Sequence, residues 1–300
     1  MKLSLLLDWR VRRLIINADD FGLTRGVNRA IAGAHSRGVV TSATMMANSA
    51  AFDDAVQQAR SSPGLGIGCH IVLVDGLAIL PPDQVSTLIV GNEKRFREGA
   101  GSMALSAVAG RLDAEQMREE ATAQIRKLQA AGLTISHIDT HKHVHILPQV
   151  LRPLLRAAIA CGVRAIRNPF GRIGFPIMAR RPELWQRYGQ FKLLQAFAGK
   201  FRQAVRQATM FTTDGSLGIS ATGYLDDALF RFILENLPEG TWELVCHPGY
   251  DDADLQRVRT RLHKSREAEL RLLTASETRA LLARNGVELI SYRDLVTKAA

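Results

Sequence analysis

Eight histidines are spread along this 300-residue chain, and three of them, His141, His143 and His145, fall in one short stretch, DTHKHVHILP. In an extended backbone alternate residues share a face, so all three imidazoles would project together; in a helix His141 and His145 would pair instead. Imidazoles at this density suit a divalent metal such as Zn, Fe, Ni or Co. A carboxylate joined to two of them leaves coordination positions open for water and substrate. His141, nearest the end of the preceding apolar run, is the favoured ligand, with His143 or His145 orienting a ligand or the substrate.

The carboxylates for such a site stand near the start, as Asp19-Asp20 in NADDFG. Adjacent carboxylates after an apolar run repel each other unless a cation or a proton relieves them. Read alone, the pair is also a fair turn or helix N-cap, and Phe21-Gly22 supplies a tight turn that could aim both inward. His70 lies in LGIGCHIVL, where a lone histidine reads as a core residue; its neighbour Cys69 must point to the opposite face of a strand. His247, in VCHPGY, follows another apolar run, with Pro248 fixing the backbone and Gly249 letting it leave sharply. An imidazole there, with a reference pKa of about 6.5, suits proton transfer near neutrality. His35, His137 and His263 fit ordinary helix-end, mid-strand and surface positions.

The elements that must position these residues alternate. Strands are expected at 14–18, 40–46, 65–73, 134–139, 163–167, near 210–219, at 242–246 and at 287–291. Helices are expected at 27–37, 50–61, 114–131, 149–161, 226–237 and 262–285, with 178–209 largely helical and basic. Residues 74–112, containing Pro81-Pro82, form a long connection that reads as an active-site flap. The pattern is α/β, a single-domain distorted (β/α) barrel of seven or eight βα units over residues 13–297, preceded by a loosely ordered extension at 1–12. An open doubly wound sheet is the alternative, but no glycine-rich fingerprint follows the first strand. In a barrel all strand C-terminal ends converge on one face. Asp19, Asp20, His70, His141 and His247 would then meet in one pocket.

Composition narrows the setting. The net charge of +10 favours acidic partners in general. No zinc-finger or helix-turn-helix spacing and no aromatic-plus-basic RNA motif accompanies it, so nucleic acid is not an expected partner. Three cysteines, Cys69, Cys161 and Cys246, are too few and too scattered for a disulfide framework. The opening MKLSLLLDWRVRR lacks the long apolar core and cleavage site of a secretory signal. No stretch reaches the roughly 18 uncharged apolar residues of a membrane span. The cell interior fits best, and the oligomeric state is left open, a homodimer included. In FKLLQAFAGKFRQAVRQA, Phe191, Leu194, Phe197 and Phe201 form a stripe flanked by Lys192, Lys200, Arg202 and Arg206. Such a stripe usually packs on a core; the other reading is peripheral contact with an anionic membrane through 191–206, at the inner face.

ADDFGLT, GCH with its apolar run, DTHKHVHILP, Arg167 in VRAIRNP, CHP and the terminal SYRDL together resemble the YdjC-like carbohydrate deacetylases. The resemblance runs over about residues 13–295, and within the family it is greatest to the branch associated with hopanoid biosynthesis, the HpnK-like deacetylases. It implies a distorted (β/α) barrel and one divalent metal ion, Zn or Mg, held by Asp20, His70 and His141. It also implies Asp19 as general base and His247 as general acid; His143, His145 and Arg167 are the further candidates to orient ligands or substrate. The implied reaction removes acetyl from an N-acetylated amino sugar: a chitooligosaccharide in known members, an N-acetylglucosaminyl group on a lipid in the hopanoid branch. Two other classes compete. Metal-dependent amidohydrolases and phosphoesterases also use H-x-H, but at the end of the first strand. A non-enzymatic protein with a structural metal would close its site with four ligands.

Overall fold

β1 (Arg12–Phe21) is the hub of a wholly parallel sheet, in the computed structural model that describes residues 11–91, 93–171, 181 and 184–299. The other strands are β2 (Ser42–Met45), β3 (Gly66–Ile71), β4 (Ile135–Thr140), β5 (Gly215–Leu217), β6 (Gly240–Cys246) and β7 (Val287–Leu289). Their order is β4-β3-β2-β1-β6-β5, with β7 pairing the first residues of β1. Most of the expected extension, 1–10, lies outside the described residues.

The sheet curls into a half-barrel, and irregular backbone carries it further round. The expected strand at 163–167 is reduced to isolated parallel bridges, Ile138 to Ile166 and Ala165 to Phe211. The expected strand at 210–219 shrinks to β5, where the Ser216 N–H donates to the Phe170 carbonyl at 3.0 Å. The barrel is therefore distorted, as the alternation of elements suggests, with seven regular strands among the described residues.

Side chains alternate along each strand, and the two faces differ sharply. Leu14, Ile16 and Ala18 of β1 pack outward with the helices in the large apolar core; so do Ile67, Cys69 and Ile71 of β3 and Leu244 and Cys246 of β6. The inner face holds only a small apolar cluster, Ile15, Ala165, Ile290 and Tyr292. Above it the lumen is lined by buried Asn17, Asp19, Thr44, His70, His137, Asp139, Arg167 and Glu243.

Three local features aim the residues of interest. β1 runs on through Asp19 and Asp20 to Phe21, beyond the expected end at residue 18. Its register with β2 slips between Ala18 and Phe21, and Asp20 has φ 66. That left-handed residue turns into the lumen a side chain that regular alternation would send outward. Gly22 (φ 103) then makes the turn, since a Cβ there would lie 2.8 Å from Ser49 Oγ. Thr24 caps the following helix, Arg25–Ser36, its hydroxyl accepting from the Val27 N–H at 3.1 Å.

The histidine-rich stretch is neither extended nor regularly helical: it forms a 3-10 segment, His141–Ile146, in which Lys142 (φ 54) and His143 (φ 53) are left-handed. The 74–112 connection has its own 3-10 turn, Pro82–Gln84, and helix, Gly99–Val108, and Lys142 Nζ pairs with Asp75 at 2.6 Å. The expected helix 262–285 is two, Lys264–Thr274 and Ser276–Arg284, broken at Ala275 (ψ 139). Of the basic stripe, Phe201 is buried, and Leu194 and Phe197 pack against the same core. Among the described residues no helix is long and apolar enough to cross a membrane.

Candidate active site

Parallel register puts His70 on β3 opposite Asp139 on β4, and their side chains meet in the lumen. His70 Nδ1–H donates to Asp139 Oδ1 at 2.7 Å, leaving Nε2 to face outward. That Nε2 is 3.3 Å from His141 Nδ1 and 3.6 Å from Asp20 Oδ1, and His141 Nδ1 is 3.4 Å from the same oxygen. The other Asp20 oxygen is taken by Arg266 Nη2 at 2.5 Å, so one oxygen is left for the imidazoles. Asp20, His70 and His141 could hold a metal ion. A tetrahedral ion with bonds of about 2.0–2.2 Å needs donor-to-donor edges of about 3.3–3.6 Å. The three separations fall in that interval, so the residues fit the group that the sequence implies.

Asp19 faces the other way. Arg167 grips it with both arms, Nη2 to Oδ1 at 2.6 Å and Nη1 to Oδ2 at 2.8 Å. Asn17 Nδ2 donates to Oδ1 at 3.0 Å, and Thr44 Oγ1 lies 3.2 Å from it. Asp19 Oδ2 is 3.9 Å from His247 Nε2. His247 is placed by β6, which ends one residue before it, and by Glu269, whose carboxylate accepts the His247 backbone N–H at 2.5 Å.

Electrostatics follow from burial and neighbours. Burial opposes ionisation of Asp19, but the Arg167 guanidinium holds it well below the usual carboxylate range. Asp20 is likewise held low against burial, by Arg266 and His141. Burial would lower His70, yet the Asp139 carboxylate, helped by Asp19 and Asp20, pushes it up to about 9. Burial outweighs Asp19 and Asp20 at His247, pushing it down to about 4, and lifts the Glu269 carboxyl to about 7. Five buried carboxyl groups, Asp19, Asp20, Asp139, Glu243 and Glu269, share two buried guanidiniums, Arg167 and Arg266. A cluster this short of positive charge is suited to a divalent cation.

The structure thus brings together Asp19, Asp20, His70, His141, Arg167 and His247. His145 stands apart: it is fully buried, its Nδ1 lies 2.6 Å from Thr140 Oγ1, and burial with Arg167 pushes it down to about 3. His143 is half-buried, and its Nδ1 has no hydrogen-bond partner among the described residues. Among the described residues neither belongs to a group that could hold a metal, whereas His141 does. Sequence reasoning missed Asp139, Glu243, Glu269 and Arg266. Polar residues at alternate positions of ISHIDT and TWELVC were a signal for the first two. Arg266 sits among other basic residues of a surface-like helix and carried none.

A family model described as YdjC-like protein matches residues 13–284. The chain belongs to the YdjC-like family. Among this YdjC-like protein's relatives is a carbohydrate deacetylase of Brevibacillus brevis, 34% identical over 288 residues, covering 94% of this chain and 99% of that one. Carbohydrate deacetylase 1 of Listeria innocua is 31% identical over 284 residues, covering 94% and 100%. A solved structure from Enterococcus faecalis V583, named for cellobiose-phosphate cleavage, superposes with a TM-score of 0.74 at 28% identity, covering 95% and 99%.

Proposed function

We propose that this YdjC-like protein is a divalent-metal-dependent hydrolase that removes the acetyl group from an N-acetylated amino sugar. The observation that carries the reading is the meeting of Asp20, His70 and His141 donor atoms beside Asp19 and His247 at one end of the lumen. The names of the Brevibacillus and Listeria relatives support the substrate class. Two imidazoles at tetrahedral-edge spacing favour Zn over Mg, which prefers octahedral oxygen ligands.

Asp20, His70 and His141 would hold the divalent ion, which would supply Lewis acidity toward the acetyl carbonyl and a lowered pKa for the water. Asp19, kept ionised by Arg167, receives the proton of that water. His247 delivers a proton to the departing amine, without which the amine is a poor leaving group. Two observations favour a second division of labour: both Asp19 oxygens already lie in the Arg167 fork, and burial pushes His247 down to about 4, which favours the neutral imidazole. His247 would then take the proton first and pass it to the amine, with Asp19 steadying the imidazolium by charge. Asp19→Asn separates the two, losing nearly all turnover in the first and only part of it in the second.

At the finer level the substrate is an N-acetylglucosaminyl group on a hopanoid lipid, a reading that rests on the motif resemblance. Peripheral contact with an anionic membrane through 191–206 would use Lys192, Lys200, Arg202 and Arg206 with exposed Leu193, since Phe201 is buried. Vesicle co-sedimentation tests it, and equal recovery with neutral and anionic vesicles counts against it. The reaction is tested by measuring acetate release from N-acetylglucosaminyl lipid, chitooligosaccharides and phosphate esters, each with Zn, Mg or neither. Acetate release that requires added metal supports the proposal; phosphate release without acetate contradicts it.

A further inference from the structure

The terminal SYRDL motif is far from the metal ligands in sequence, and the chemistry above does not use it. We propose that its tyrosine, Tyr292, is a positioning residue for the reaction: from the floor of the barrel it fixes Asp19 through Glu243 and Arg167. This rests on the reading of Asp19 as a participant in deacetylation.

The motif first builds the platform. Ser291 and Asp294 cap the last helix, Tyr292–Ala299, reciprocally: the Ser291 N–H donates to Asp294 Oδ2 at 2.7 Å, and the Asp294 N–H donates to Ser291 Oγ at 3.4 Å. Arg293 Nη1 donates to the Pro63 carbonyl at 2.7 Å, anchoring the turn below β3. Tyr292 is thereby driven into the lumen, fully buried, its ring stacked on His137 at 3.7 Å and 11°. Gly68 makes room for that stack, since a Cβ there would come within 2.4 Å of the His137 ring.

Packing would be served equally by phenylalanine; the hydroxyl does something more specific. It donates to Glu243 Oε2 at 2.6 Å, and Ser216 Oγ donates to the same oxygen at 3.1 Å. With Oε2 satisfied, Oε1 faces Arg167 Nε at 2.8 Å and Nη2 at 2.7 Å. A guanidinium is a flat fork, so fixing its Nε edge fixes the plane of its two terminal nitrogens. Those nitrogens hold both oxygens of Asp19. The connection is unbroken from the last helix to the mouth of the site, and every member is buried. Removing the hydroxyl leaves Glu243 Oε2 with one donor fewer and loosens the carboxylate that holds the Nε edge of Arg167. Asp139 on Nη1 and the Asp19 pair keep the guanidinium in the lumen, so the expected result is a small shift of Asp19, not its release.

Tyr292→Phe keeps the ring and deletes only the donor. In the full-length metal-loaded protein, kcat for acetate release should fall roughly tenfold, the cost of a small misplacement of a reacting group. KM for the N-acetyl sugar and the bound-metal stoichiometry should stay as in wild type. The effect should also be non-additive: in a Glu243→Gln background, Tyr292→Phe should change kcat less than about twofold. If Glu243→Gln does not fold, Ser216→Ala serves with the opposite sign: Tyr292 is then the remaining hydroxyl donor to Oε2, and Tyr292→Phe should cost more kcat than it does in wild type. Wild-type kcat in Tyr292→Phe, whatever its thermal stability, overturns the proposal, as does an equal loss in both backgrounds. Asp19→Asn separates the levels. If it is inactive while Tyr292→Phe is normal, only the role of Tyr292 falls; if it keeps wild-type turnover, the reading of Asp19 falls and the proposal with it.

Discussion

Asp19 and Asp20 are neighbours in sequence, yet the protein neutralises them by different means. Asp19 follows the regular alternation of β1 into the lumen, where Arg167 takes both of its oxygens. Asp20 reaches the same space through a left-handed residue at a register slip, with one oxygen on Arg266 and the other facing two imidazoles. On the Arg167 side Asp19, Asp139 and Glu243 share one guanidinium, whose fork takes both Asp19 oxygens. On the Asp20 side Arg266 takes one oxygen, and the other stands at coordination spacing from two imidazoles. Under the proposed function, the contrast makes the DD pair two half-sites back to back, one that would handle protons and one that would hold metal.

Separating the halves by mutation gives the largest effects. Asp19→Asn should lower kcat on the order of a thousandfold while bound metal, measured by elemental analysis, stays at the wild-type level. Loss of metal in that variant would merge the two halves. His141→Ala should do the reverse, losing its metal on dialysis while circular dichroism shows the fold intact. Asp139→Asn removes the acceptor that orients His70, and metal affinity should weaken roughly ten- to hundredfold, with activity restored by excess metal. Unchanged affinity would mean that His70 is not a ligand.

The smallest effect is a matter of pH. Without an ion, His70 is held up to about 9 against an unperturbed 6.5, so at pH 7 metal must displace a proton from it. Apparent metal affinity should rise about tenfold per pH unit between about 7 and 9 and level off above. Stability should respond oppositely. The folded-state pKa is raised, so the metal-free protein keeps His70's contribution below about 6.5 and loses it as pH climbs through about 9. Thermal melts with and without Zn across that range check the sign, and parallel pH profiles would remove His70 from the metal half.

Much of this was legible in the sequence, because strand-end placement and apolar runs are short-range signals. The runs ending at Asp19-Asp20, His141 and His247 gave a parallel barrel and one convergent face. What escaped reading depended on backbone conformation or distant packing. Nothing local announces that Asp20 is left-handed, nor that Lys142 and His143 break the alternation that would have put three imidazoles on one face. The expected strand at 163–167, VRAIR, pairs only at isolated bridges, and Arg167 at its end reaches across the lumen to Asp19. Arg266 comes from a helix far along the chain, and only the folded structure brings it to Asp20.

The most direct test of the two-half account is a crystal structure of the Zn-loaded protein with anomalous differences measured at the Zn edge. The account predicts a single strong peak bonded to Asp20 Oδ1, His70 Nε2 and His141 Nδ1, with Asp19 still in the Arg167 fork. A peak coordinated by Asp19 or Asp139, or no peak among these residues at full Zn loading, would contradict it.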